Sequence, residues 1–132
     1  MVYLVTGGAG FIGSHVVEAL YRRGERVRVL DNLSTGSLRN LEDALGLGRG
    51  SLGLPPPDRT VAVADRCELV LGDIRDLEVL RRACEGVDCV VHEAALRAVP
   101  RSVADPLSTN EVNVTGTLRL LVAAREAGVR RV

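Results

Sequence analysis

Val2 to Val5 form a short run that is apolar throughout and ends in Thr6 and a cluster of glycines. That is the pattern of a parallel strand buried on both faces. From Phe11 the spacing becomes helical, placing Ile12, Val16, Ala19 and Leu20 on one face, with Gly24 just past the end as a C-terminal cap. Arg26 to Leu30 predict a second strand through Val27, Val29 and Leu30, terminating at Asp31, and the three elements make a βαβ unit of about thirty residues. The segment Asn32 to Arg66 carries less pattern. Within it a short helix is predicted over Leu38 to Leu45, followed by a Gly/Pro-rich surface insertion, Gly46 to Asp58, that contains Pro55, Pro56 and Pro57.

Regular alternation then resumes. Glu68 to Leu71 predict a third strand, Asp76 caps a helix running to about Cys84 with Gly86 behind it, and Asp88 to His92 predict a fourth strand. One long helix is expected from Pro106 to Ala127, stopped by Gly128, and Val129 to Val132 look like the approach to a fifth strand. Strands alternating with helices imply an α/β fold with a parallel sheet and right-handed crossovers.

Composition narrows the class. The 132 residues fit one domain, 46% apolar and 26% charged, and seventeen acidic residues balance seventeen basic ones, all of them arginine. A zero net charge offers no basic surface for nucleic acid. No apolar run reaches the ~18 residues of a membrane span, and no basic, cleavable leader precedes Val2, so a cytoplasmic protein is expected. Cys67, Cys84 and Cys89 lack Cys-x-x-Cys spacing and sit among apolar residues; they read as small buried thiols, with no metal set. Cys89-Val90-Val91 is apolar on both faces and reads as a central strand, whose edge would be left unpaired if nothing followed Val132. The expectation is an incomplete domain over residues 1–132, four strands and the start of a fifth.

Between the first strand and the first helix stands Gly7-Gly8-Ala9-Gly10-Phe11-Ile12-Gly13. In that setting the glycines allow unusual φ, let backbone N–H groups approach a pyrophosphate without a Cβ in the way, and let the helix pack closely on the sheet. The helix N-terminus then holds phosphate. The fold expected is therefore a Rossmann-type doubly wound sheet. Asp31, 21 residues after Gly10, ends the second strand where a carboxylate accepts hydrogen bonds from adenosine ribose hydroxyls and repels a 2′-phosphate. NAD is favoured over NADP, with Arg39 nearby leaving the second open. Asp31-Asn32-Leu33-Ser34 is also good turn chemistry, so a plain capping role stays open too. Asp73 and Ile74 follow the third strand at the rim where ligands of open α/β sheets bind, and an adenine contact and a helix-capping loop are both compatible with those residues.

Five stretches in order, Thr6-Gly7-Gly8-Ala9-Gly10-Phe11-Ile12-Gly13-Ser14-His15, Asp31-Asn32-Leu33, Gly72-Asp73-Ile74-Arg75-Asp76, His92-Glu93-Ala94-Ala95 and Asn113-Val114-Thr115-Gly116-Thr117, resemble the extended short-chain dehydrogenase/reductase family. Within it the chain is similar to the nucleotide-sugar epimerases and dehydratases, above all the UDP-hexose 4-epimerases. The resemblance implies NAD as cofactor, with Gly7, Gly10 and Gly13 in the phosphate turn and Phe11 and Ile12 covering the pyrophosphate. Asp31 and Asn32 would bind the adenosine ribose, Asp73 and Ile74 the adenine, and Ala94, Ala95 and Arg97 would line the nicotinamide side. Asn113 would order the site through the long helix. Arg97 departs from the lysine that related epimerases often carry, and its guanidinium is bulkier and planar. Ala98 to Pro106 resembles the loop beside the sugar in epimerases of UDP-hexoses, N-acetylated ones included, where Ser102 either meets substrate or serves near a helix N-cap. His15 reads as a helix-surface residue and His92 as a strand-end packing residue.

In that family a Tyr-x-x-x-Lys pair after the fifth strand, with a Ser or Thr, does the acid–base chemistry while hydride passes between sugar C4 and NAD. The chain has no lysine, and its only tyrosines are Tyr3 and Tyr21. The resemblance implies the cofactor-binding part of an NAD-dependent nucleotide-sugar epimerase or dehydratase, most readily a UDP-hexose 4-epimerase, with the C-terminal substrate domain absent, inactive by itself and dimeric when complete. A non-catalytic dinucleotide-binding module completed by a partner chain, and an NADP-dependent reductase, remain as alternatives.

Overall fold

The computed structural model describes residues 1–132. Its strands are β1 (Val2–Thr6), β2 (Arg26–Asp31), β3 (Thr60–Ala64), β4 (Cys67–Leu71) and β5 (Cys89–His92). They form one sheet in the order β3-β4-β2-β1-β5, parallel except for β3, which runs antiparallel to β4. The helices are α1 (Phe11–Arg22), α2 (Leu38–Leu45), α3 (Leu77–Cys84), α4 (Val99–Ala104), α5 (Pro106–Asn110) and α6 (Thr117–Glu126).

The apolar strands alternate sides, and so divide the core in two. Leu4, Leu30, Val70 and Val90 pack on one face with Val79, Leu80 and Ala83 of α3 and Leu120, Ala123 and Ala124 of α6. Val5, Val27, Val29 and Leu69 pack on the other with Val17 and Leu20 of α1 and Leu41 and Leu45 of α2. Helices on both faces make the sheet doubly wound. Arg28 crosses to the α3 side, where it donates to the carbonyls of Ala83 and Glu85 at 2.9 and 2.8 Å and so caps the end of that helix. Cys67 and Cys84 are buried in these cores, which pushes their thiols up to about 12 and about 11; Cys89 is half-buried, and all three are free.

Four expectations need correction. The sheet has a strand that the pattern hides: Thr60–Ala64 is an antiparallel edge strand of small residues, mostly exposed or half-buried, so it shows no long apolar run. The sheet therefore has five strands before Val129 to Val132, and Arg131 pairs in parallel fashion beside Cys89 of β5. In α1 the buried residues are Gly13, Ser14, Val17 and Leu20, whereas Ile12 and Ala19 are exposed. The helix comes close through two small residues, Gly13 and Ser14: a Cβ on Gly13 would lie 2.1 Å from the Gly7 carbonyl oxygen. That contact turns the buried stripe by one position. Lastly, Pro106 to Ala127 is helical but not uniform, since a π-helical segment, Glu111–Gly116, separates α5 from α6, and α4 precedes them as a short helix.

The Gly/Pro-rich stretch beyond α2 is held down by a buried carboxylate. Glu42 accepts the backbone N–H groups of Gly50 and Leu52 at 3.0 and 2.9 Å, while Leu47 and Leu52 pack on the α1–α2 core. These hydrogen bonds hold the Glu42 carboxyl below its ordinary value of 4.5. The favourable contribution is therefore complete above that value and is lost as pH falls through the lowered one. Glu42→Gln, which offers one acceptor where two are needed, is expected to speed amide exchange at Gly50 and Leu52 while β1 stays protected; acidification should do the same to the native protein. Gly13→Ala is expected to cost about 1–3 kcal/mol through backbone overlap with Gly7. Gly48→Ala, with no atom within 4 Å, should leave the urea midpoint within experimental error.

Candidate functional site

The C-terminal ends of β1, β2, β4 and β5 open into one cleft of about 420 Å³. Its floor is the glycine turn. Gly7 has φ 69°, and a Cβ there would stand 2.7 Å from the amide nitrogen of Ala94, so only glycine lets the turn lie against the β5 end. Gly10 begins α1 without a side-chain cap, and no acidic residue stands in the first turn. The N–H groups of Phe11, Ile12 and Gly13 consequently have no acceptor within the chain; the first helical bond into the turn is that from Ser14 to the Gly10 carbonyl. Three free donors at the positive end of a twelve-residue helix, beside a cleft, suit an anion.

Asp31 closes the turn from β2. One carboxylate oxygen accepts the Ala9 N–H at 2.9 Å, and the other accepts that of Leu33 at 2.8 Å. The turn-capping role open to this residue is thus realised, and the remaining lone pairs stay directed to whatever enters the cleft, which Asp31 lines. Burial, opposed by the backbone N–H groups of Leu33, Ala9 and Asn32, pushes its carboxyl up from the usual range. Asp73, at the end of β4, is held oppositely. Arg75 meets both its oxygens, through Nε at 3.0 Å and Nη2 at 2.8 Å, and Asn32 Nδ2 donates to it at 2.9 Å. The guanidinium brings the carboxyl down to about 2, which makes Asp73 an acceptor at any ordinary pH.

Ile74 is buried between the two sides of the site, with its Cδ1 2.9 Å from where a Gly116 Cβ would stand in the π-helical segment. Three residues earlier in that segment, Asn113 clamps the loop after β5: its Oδ1 accepts the Leu96 N–H and its Nδ2 donates to the Leu96 carbonyl, both at 2.8 Å. Ala94, Ala95 and Arg97 of that loop line the opposite wall, Arg97 exposed and in no ion pair. Phe11 and Ile12 are exposed at the cleft, where they line its mouth.

The structure therefore brings Gly7, Gly10, Phe11, Ile12, Gly13, Asp31, Asn32, Asp73, Ile74, Ala94, Ala95, Arg97 and Asn113 to one cleft. Ser102 lies elsewhere. It sits in α4 with its hydroxyl donating to the Val99 carbonyl at 2.9 Å, and it does not line the cleft. His15 is on the helix surface, its ring 5.0 Å from that of Phe11. His92 differs from its packing expectation in one respect: it lines the cleft and joins two threonines, Thr6 and Thr117. The signal was present in the sequence, since Thr6 and His92 both end strands that flank the same turn, and Thr117 follows Asn113 by one helical turn.

The donor and acceptor set fits a dinucleotide: free N–H groups for a diphosphate, one carboxylate at the end of β2 and one just past β4 for hydroxyl and amino donors, and a small-residue wall beyond. A family model described as the NAD dependent epimerase/dehydratase family matches residues 3–132. The UDP-glucose 4-epimerase of Neisseria meningitidis serogroup C is 39% identical over 131 residues, covering 98% of this chain and 34% of that relative. Among solved structures, UDP-glucose 4-epimerase of Thermus thermophilus in complex with NAD superposes with a TM-score of 0.76 at 41% identity, over 98% of this chain and 35% of that one. A dTDP-glucose 4,6-dehydratase from Streptomyces venezuelae with NAD bound gives 0.79 at 40% identity, over 98% and 37%. The chain spans about a third of the length of each of these proteins. With the match running from Tyr3 to Val132 and the glycine turn, paired carboxylates and small-residue wall set around one cleft, the chain belongs to the NAD-dependent epimerase/dehydratase family.

Proposed function

We propose that this chain is the NAD-binding portion of a nucleotide-sugar epimerase or dehydratase, with a UDP-hexose 4-epimerase as the specific reading. The observation that carries it is the row of free N–H groups at Phe11, Ile12 and Gly13, with hydroxyl- and amino-accepting carboxylates on one side and the Ala94–Ala95 wall on the other. In this reading the N–H row holds the diphosphate, and Asp31 with Asn32 receives the adenosine ribose. Asp73, kept ionised by Arg75, accepts from the adenine amino group while Ile74 packs on the ring. Ala94, Ala95 and Arg97 border the nicotinamide end, and Asn113 fixes their loop. When bound, NAD supplies a reversible hydride acceptor for C4 of the sugar.

The chain's own residues supply binding and orientation and no proton transfer. Tyr3 lies within β1 against the α1–α2 core, Tyr21 donates its hydroxyl to Asp65 away from the cleft, and lysine is absent. The reading therefore assigns the proton of the sugar 4-hydroxyl to a Tyr-x-x-x-Lys pair outside these 132 residues, and substrate recognition with it. It extends to a homodimer of the complete protein, supported by Val114, Leu118 and Leu121, exposed along one side of the helix that ends in α6.

Calorimetric titration of the 132-residue chain with NAD and NADP tests the reading. NAD is expected to bind more tightly, and Asp31→Asn to weaken NAD about tenfold while narrowing the gap between the two. Tighter binding of NADP would remove the ribose role of Asp31. Incubation with UDP-glucose and NAD is expected to give no UDP-galactose, and turnover by this chain alone would overturn the assignment of proton transfer elsewhere.

A further inference from the structure

His92 ends β5 at the cleft, and its two ring nitrogens are both engaged: Nδ1 stands 2.6 Å from Thr6 Oγ1 and Nε2 stands 2.9 Å from Thr117 Oγ1. The neighbours fix where the protons lie. Thr117 donates its hydroxyl hydrogen to the Asn113 carbonyl at 2.7 Å, since a carbonyl can only accept. Thr117 Oγ1 must then accept from His92, which places the ring hydrogen on Nε2. Nδ1 is left as an acceptor for the Thr6 hydroxyl, and Thr6 Oγ1 in turn accepts the Ala94 N–H at 3.3 Å.

These bonds close a circuit around one wall of the cleft. At one end Ala94 is tied through Thr6 to His92; at the other Leu96 is clamped by the Asn113 side chain, whose residue also receives Thr117. Ala94 is the residue whose amide nitrogen lies 2.7 Å from the missing Gly7 Cβ. The circuit thus sets the distance between the phosphate turn and the wall opposite. We propose that His92 is a positioning residue for the bound dinucleotide: as the neutral Nε2–H imidazole it links β1 to the helix of Asn113 and Thr117 and holds the Ala94–Leu96 wall in register with the Gly7 turn. This inference rests on the dinucleotide reading of the cleft.

A second proton on Nδ1 would reverse the bond to Thr6, leaving that fully buried hydroxyl to find another acceptor. Burial already favours the neutral ring, holding His92 below its ordinary 6.5. The charges around it act unequally. Glu93, just past the end of β5, favours protonation; β1 contributes only the uncharged Thr6; on the helix, Glu111 is paired with Arg119 at 2.8 Å. Asp31, Asp73, Arg75 and Arg97 line the same cleft.

The test combines NMR and calorimetry on the 132-residue chain. At pH 8 the ring nitrogens of His92 should report the Nε2–H form, and on acidification the Ala94 amide should shift with the midpoint of that ring. His92→Phe is expected to weaken NAD about tenfold at pH 7.5 and to remove that step from the Ala94 titration. Any loss of NAD affinity on acidification that persists in the variant does not come from the His92 ring. Thr117→Val, which deletes one hydroxyl on a helix and serves if His92→Phe fails to fold, should weaken NAD about threefold and move the His92 midpoint. An Ala94 amide indifferent to His92, or variants that bind NAD as the native chain does, would overturn the positioning role alone. A native chain that binds no NAD at any pH would remove the dinucleotide reading and this role together.

Discussion

The backbone of residues 7–13 is pressed from three sides, and the rest of the site is arranged around that pressure. α1 approaches so closely that a methyl group on Gly13 would overlap the Gly7 carbonyl; the β5 end allows none on Gly7; and a Cβ on Gly36, before α2, would stand 2.7 Å from the Ala9 carbonyl. Ala9 is in turn caught on both its polar groups, its N–H by Asp31 and its carbonyl by Asn40 Nδ2 and the Ser37 N–H. A turn fixed in this way costs no further ordering when a ligand arrives, which is the physical content of a preformed phosphate site. The doubly wound sheet, with leucines and valines packed on both faces, supplies the stiffness that holds these neighbours in place.

Charge is distributed along the cleft by the same economy. No side chain of either sign stands in the first turn of α1, so the helix end itself provides the positive potential. The two carboxylates at the rim are tuned apart by different means, Asp31 by burial and Asp73 by a guanidinium. Beyond them the wall at Ala94–Leu96 carries no charge of its own, and its geometry is set by neutral hydrogen bonds through Thr6, His92, Thr117 and Asn113.

The parts legible in the sequence are those where a single residue type has a strong local reason. Glycines between strand and helix, Asp76 at a helix start, the apolar runs of β1 and β4 and the helix over Leu38–Leu45 all fall in this class. The parts that escaped depend on partners distant in the chain. β3 is an edge strand whose small residues pair with β4 but bury little, so no period marks it. The π-helical segment differs from an α-helix by its contacts, Asn113 with Leu96 and Gly116 with Ile74, which a helical period does not encode. The buried face of α1 followed from how near the helix comes to the sheet, and hydrophobicity alone chose a neighbouring stripe. His92 looked like packing because its meaning lies in two hydroxyls, 86 and 25 residues away.

Asp31 spends two of its lone pairs on the backbone of Ala9 and Leu33. The group that would discriminate between nucleotides is therefore also a strut of the polypeptide beneath them. If Asp31 receives the ribose as proposed, cofactor preference and conformational integrity are coupled through one side chain, and redesign toward a phosphorylated ribose cannot treat this position as an independent dial. A replacement must first restore an acceptor for the Ala9 amide, or the glycine turn beneath the cleft will loosen with it.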